Sequence, residues 1–109
     1  MSDPADLTLG EAGKLLRAGE ISAAELADAV IMRAGVTESH LHAYLTLDQD
    51  SIRAAARAAD EAMANGEDRG PLHGIPIALK DNMTTRGTET TAGSKILSGY
   101  VPPYNASVV

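Results

Sequence analysis

Apolar residues recur at helical spacing in three stretches of this chain and change to alternation or unbroken runs between them. Leu9, Ala12, Leu15 and Leu16 fall on one helical face, Thr8 and Glu11 stand at the spacing of a reciprocal N-terminal cap, and Gly19 supplies a stop. Ser22 and Glu25 repeat the capping spacing, Ile21 and Leu26 sit at staple spacing, and Leu26, Ala29, Val30 and Arg33 carry a second helix to Gly35. With only Gly19, Glu20 and Ile21 between them, the two predict a helical hairpin packed within the molecule. Leu41, Ala43, Leu45 and Leu47 then alternate with His42, Tyr44 and Thr46, the period of a half-buried strand near a sheet edge. Ile52, Ala55, Ala56, Ala59 and Met63 return to helical spacing, with Arg57 and Glu61 as a surface pair, until Asn65 and Gly66 end the helix. After a polar loop over residues 67–71, residues 75–79 read as a buried strand and the Thr-rich residues 87–91 as a shorter one. The order helix, helix, strand, helix, strand, strand predicts an α/β layer architecture, with part of a mixed sheet and helices on its faces.

Composition limits what such a core can be. Hydrophobic residues make up 44% of the 109, but many are alanine, Phe and Trp are absent, and the three tyrosines are the only aromatics. A chain of this length forms at most one small domain and buries roughly two-thirds of its unfolded surface. Cysteine is absent, which removes disulfides, a thiol nucleophile and thiolate metal sites and is compatible with a cytoplasmic location. The acidic start Met1-Ser2-Asp3-Pro4-Ala5-Asp6 lacks the apolar core of a signal peptide, and no run approaches a membrane span. Net charge is −6, and the nine basic residues are dispersed from Lys14 to Lys95, so direct binding of a nucleic acid by this segment is not expected.

The sharpest chemical feature is the run Gly70-Pro71-Leu72-His73-Gly74-Ile75-Pro76-Ile77-Ala78-Leu79-Lys80-Asp81-Asn82, which places a lysine at the end of an apolar strand. Desolvation disfavours the charged form of lysine, so at such a site it can act as a base. A strand ending in Lys, Asp and Asn is also an ordinary edge pattern, the amine reaching water while Asp and Asn begin a turn. Other candidates carry less. His40 and His42 would project from one side of a strand, but a metal site needs three or four ligands and no second cluster supplies them. His73 reads as a loop residue near the lysine segment. Ser22 reads as a helix cap, Ser94 as the cap of a helix starting at Lys95, and no serine lies in a Gly-x-Ser-x-Gly elbow. No glycine pattern matches a phosphate loop.

The lysine run resembles the lysine motif of the amidase signature family, whose members use a Ser, cis-Ser, Lys triad. The later stretches Thr90-Thr91-Ala92-Gly93-Ser94-Lys95-Ile96-Leu97 and Val101-Pro102-Pro103-Tyr104-Asn105-Ala106-Ser107-Val108-Val109 resemble in particular its tRNA-dependent amidotransferase branch. The resemblance implies that residues 1–109 are the N-terminal part of a single amidase domain, apparently truncated, with Lys80 as the catalytic residue. The family's Gly/Ser-rich stretch, which carries the bridging and nucleophilic serines, has no counterpart here, so the chain by itself is expected to be inactive. The function implied is that of a glutamine amidohydrolase subunit supplying ammonia for transamidation of Glu-tRNA(Gln) to Gln-tRNA(Gln). Its implied partners are B and C subunits, with tRNA held only indirectly through the B subunit, ATP and magnesium on that partner, and no cofactor or metal in this chain. Asp81 and Asn82 are expected to shape the turn beyond Lys80. Two alternatives remain: a stand-alone amidase acting on small amides, and a non-catalytic binding module that retains the amidase N-terminal layer.

Overall fold

The computed structural model describes residues 3–45 and 47–109. By contacts the chain divides into two compact units, Met1–Pro76 and Ile77–Val109.

The first unit is helical. A 3-10 turn, Pro4–Asp6, leads into α1 (Leu9–Ala18), α2 (Ala23–Leu41) and α3 (Gln49–Ala64). The capping box foreseen at α1 is present: Glu11 donates its amide hydrogen to Thr8 Oγ1, and the Glu11 carboxylate accepts the Thr8 amide, each at 3.1 Å. The Thr8 hydroxyl first, and then the Thr8 amide, hold the Glu11 carboxyl below its ordinary range. At the other end Gly19 adopts φ 74°, and the amides of Glu20 and Gly19 reach back to the carbonyls of Leu15 and Leu16, closing the helix in the manner that favours glycine. Ser22 caps α2 by accepting the Glu25 amide at 3.0 Å. The rest of that cap comes from far along the chain. Asp60 on α3 accepts the amides of Ala23 at 2.7 Å and Ala24 at 3.0 Å. Asp48 caps α3 through the amide and hydroxyl of Ser51.

Small side chains set the spacing of α2 against α3. Ala23, Ala27 and Ala56 are buried together, with Leu16, Ile52 and Ala59 around them. A second cluster joins Ala12, Ile21 and Leu26 with Leu7, Leu15 and Leu16. Leu16 of α1 belongs to both, so one side chain links the two clusters. Burial of Ile21 and Leu26 contributes about 1.5–3 kcal/mol each. Ion pairs tie the periphery: Arg33 on α2 donates to Asp6 and Asp3, and Arg53 on α3 pairs with Asp28 on α2 at 2.9 Å. Arg33 therefore does not continue the apolar face of α2, and its carboxylate partners raise its pKa. Among the described residues Arg53 takes the part expected of Arg57, which has no ion pair with Glu61.

The three expected strands are absent, and no strand occurs among the described residues. The mixed sheet is thus a correction, and each stretch has its own physical reason. Residues 41–47 do not alternate across a sheet because α2 runs through Gly35 to Leu41; an interior glycine costs only about 1 kcal/mol against alanine. His42 then turns left-handed at φ 47°, and the Glu38 carboxylate collects the amides of Ala43 and Tyr44 at 2.6 and 2.9 Å. Thr46 lies outside the described residues. Residues 75–79 are irregular backbone with no neighbouring strand to receive their amides, and Ile77 is 63% and Leu79 41% exposed. Residues 87–91 come nearest to the expectation. The stretch 84–90 runs antiparallel to 100–106, with main-chain bonds from Gly87 to Pro102, Thr90 to Tyr100 and Ala106 to Thr84. Three bonds spaced so widely make no continuous ladder. Pro102 in this track is fully buried and Thr90 nearly so at 5% exposure.

Candidate functional site

The lysine segment is approached from the first unit by a loop that is held firmly in place. Arg17, in the last turn of α1, forms a two-pronged pair with Asp68, Nε to Oδ2 at 2.9 Å and Nη2 to Oδ1 at 3.0 Å. Its Nη2 also donates to the Gly70 carbonyl at 2.6 Å. The Gly70 amide, and then Arg17, keep the Asp68 carboxyl below its usual range. His73 lies in this loop, as the sequence indicated. Its Nε2 is 3.0 Å from the Ala59 carbonyl of α3, and Nδ1 accepts the Arg69 amide at a longer 3.4 Å. A ring that donates at Nε2 and accepts at Nδ1 serves both partners, so His73 is here a tether between loop and helix. Gly74 follows at φ 81°, where a Cβ would stand 3.4 Å from both Leu16 Cδ1 and the Ala23 Cβ. Only glycine combines that backbone with that proximity.

Lys80 itself lies in the second unit and is exposed, not buried at the end of a strand. Among the described residues the desolvated setting expected for it is therefore absent, and the neighbouring Ile77 and Leu79 are exposed as well. Its backbone, by contrast, is closely defined. The Lys80 carbonyl accepts the Met83 amide at 2.9 Å and closes a tight turn over residues 80–83. Asp81, next in that turn, gathers donors from ten to twelve positions along the chain. Thr91 donates its amide to Oδ1 at 3.1 Å and its hydroxyl to Oδ2, Gly93 donates its amide to Oδ2 at 3.2 Å, and the Ala92 amide meets the Asp81 main-chain carbonyl at 2.9 Å. The Thr91 hydroxyl first, then its amide, lower the Asp81 pKa. The turn reading of Asp81 holds, and sequence reasoning missed its larger part, the bond to residues 91–93.

The remaining candidates separate. Ser94 caps the short 3-10 helix Lys95–Leu97 by accepting the Ile96 amide at 3.3 Å, in keeping with its reading as a cap. His40 ends on α2 and His42 is the residue after it, so the two do not share a strand face. No group of three or more His, Asp or Glu residues suited to a metal occurs among the described residues.

The amidase family model matches residues 25–109, and the chain belongs to that family. Among curated relatives, the A subunit of the glutamyl-tRNA(Gln) amidotransferase of Chloroflexus aurantiacus is 50% identical over all 109 residues, which correspond to 22% of that protein. The A subunit from Anaeromyxobacter sp. strain K is 50% identical over 100% of this chain and 23% of its own length, and that from Streptomyces coelicolor 44% over 99% and 22%. The chain thus spans about a fifth of the length of these relatives. Its fold superposes with a TM-score of 0.83 on a solved, inhibitor-bound structure of a vestigial protein complex that reveals the evolutionary origins of an s-triazine catabolic enzyme. Identity there is 28%, with 91% of this chain and 22% of that one covered.

Proposed function

We propose that this chain contributes the lysine-bearing part of a glutamine amidohydrolase subunit, which supplies ammonia for conversion of Glu-tRNA(Gln) to Gln-tRNA(Gln) in protein synthesis. The observation that carries the reading is the 50% identity, over the whole chain, to amidotransferase A subunits. In the mechanism, Lys80 accepts a proton, relayed by a bridging serine, from a nucleophilic serine; both serines lie outside this sequence. The serine oxygen attacks the side-chain amide carbon of glutamine, the amide nitrogen leaves as ammonia after protonation, and water hydrolyses the acyl ester to glutamate. For this the lysine must lose most of its hydration, so residues 75–80 are proposed to pair within a mixed sheet and be covered by helices in the full-length protein. B and C subunits would complete a cytoplasmic heterotrimer, with ATP, magnesium and the tRNA held by the B subunit; the even scatter of nine basic residues at a net charge of −6 favours an indirect role in tRNA binding.

The test uses a full-length protein in which this segment replaces the corresponding part of the Chloroflexus aurantiacus relative. Glutamine-dependent ammonia release is expected to fall about 10²–10⁴-fold in Lys80→Ala. Lys80→Arg is expected to be nearly as damaging, because guanidinium stays protonated at working pH. Retention of most turnover by the arginine variant would overturn the role of base, and preference for small amides over glutamine would favour a stand-alone amidase. The 109-residue chain alone is expected to release no ammonia above background, since it lacks the serine stretch.

A further inference from the structure

Four donors converge on Asp81, the residue that follows the lysine. Three of them are the successive main-chain amides of Thr91, Ala92 and Gly93, and the fourth is the Thr91 hydroxyl. A left-handed turn of the backbone can aim successive amides to one side, and here Ala92 has φ 52° and Gly93 φ 73°. For alanine that conformation costs about 1–2 kcal/mol. A cost of this kind persists only where surrounding contacts impose it, and the contact present is Asp81. The peptide between Lys80 and Asp81 is therefore pinned twice: by the Met83 amide on the Lys80 carbonyl, and by residues 91–93 on Asp81.

We propose that Asp81, through its clamp on Thr91, Ala92 and Gly93, is a positioning residue that fixes the backbone from which Lys80 projects. The inference rests on the reading of Lys80 as the proton acceptor. The lysine side chain is long and unbranched, so its amine can be aimed only if its Cα and peptide plane are immobile; a misplacement of 1 Å is enough to cost roughly 10²-fold in rate. Both carboxylate oxygens are needed. Oδ1 faces the Thr91 amide, and Oδ2 faces the Thr91 hydroxyl and the Gly93 amide. In Asp81→Asn one oxygen becomes an NH2 group that meets a donor, so the amide is not a conservative replacement.

The test uses the same full-length protein. Asp81→Asn and Thr91→Val are each expected to lower kcat about 10- to 100-fold with KM within about threefold. Thr91→Ser, which keeps the hydroxyl, should recover most of what Thr91→Val loses. A loss that tracks the fraction of folded protein, a rise in KM at unchanged kcat, or wild-type kcat in Asp81→Asn would each overturn the proposal. Lys80→Ala run in parallel separates the two ideas: if it is inactive while the Asp81 and Thr91 variants are wild-type, only the positioning inference falls, whereas an active Lys80→Ala removes the amidohydrolase reading beneath it. A second measurement needs no turnover. In the 109-residue chain, the amide protons of Thr91 and Gly93 should titrate by NMR with one common midpoint below the ordinary carboxylate range, and that titration should vanish in Asp81→Asn. Amides that do not follow a common titration would show that the clamp is not formed.

Discussion

Asp60 of α3 accepts the amide hydrogen of Ala23, the first residue of α2, at 2.7 Å. With its second oxygen on Ala24, it does for α2 what a local cap does for most helices, but from 37 residues away. The carboxylate also lies at the positive end of the helix dipole, in a partly buried position where the interaction is less screened. A secondary-structure element and a tertiary contact are here the same pair of hydrogen bonds.

Asp60→Ala should therefore destabilise the helical unit by about 0.5–2 kcal/mol, the range for loss of an N-terminal cap. Asp60→Asn, which keeps one acceptor, should fall between the two. Urea unfolding followed by far-ultraviolet circular dichroism measures this, and an unchanged midpoint in Asp60→Ala would count against the bonds.

Gly74→Ala should also be destabilising, by about 1–2 kcal/mol for an L-residue held in the left-handed region. The new methyl would also meet Leu16 and Ala23 at 3.4 Å, the close edge of ordinary van der Waals contact. At Gly66, where φ is 84° and the surroundings are open, alanine should meet the backbone term alone. Thermal midpoints of the two variants, compared side by side, isolate the packing part.

Acid should weaken the fold. Asp3, Glu11, Asp48, Asp68 and Asp81 all have carboxyl pKa values lowered by hydrogen bonds in the folded chain. A depressed folded value contributes stability that is fully present above the unfolded pKa of about 4 and is lost as pH falls through the folded value. The thermal midpoint should be flat from neutral pH to about pH 5 and then decline, gently because these groups are exposed and screened. Asp68→Asn should reduce the decline. A midpoint that rises on acidification would contradict the assignment.

Isolated in solution, the chain should self-associate through its second unit. Ile77, Ile96, Val101, Tyr104 and Val108 are 63, 92, 53, 58 and 74% exposed, and no element of this unit covers them. Exposed apolar surface of this kind marks an interface or an aggregation site. Light scattering over a range of concentrations should give a rising mean mass while the helical circular dichroism signal persists. A sharply unfolding monomer, independent of concentration, would overturn this.

How much of this was legible depended on the range over which each signal acts. Thr8, Glu11, Gly19 and Ser22 announce helix ends because their partners lie within five residues, and all four act as read. Alternation at residues 41–47 and the apolar run at 75–79 misled because a strand's existence depends on a neighbour that no local pattern specifies. The lysine was visible through its motif. The clamp on residue 81 was not, since Asp81, Thr91 and Gly93 are joined by hydrogen bonds across a loop, and such bonds leave no periodic trace. The same holds for Arg17 with Asp68 and for Asp60 with Ala23.

Leu16 sits in both apolar clusters, and every residue packed there, from Leu7 to Ala59, precedes Pro76 in the chain. During synthesis from the N-terminus, those side chains all emerge from the ribosome before the lysine segment does. The helical unit can therefore close around Leu16 while the ribosome is still adding later residues. Order of translation and order of assembly then coincide, and the lysine segment joins a chain whose helical part is already set.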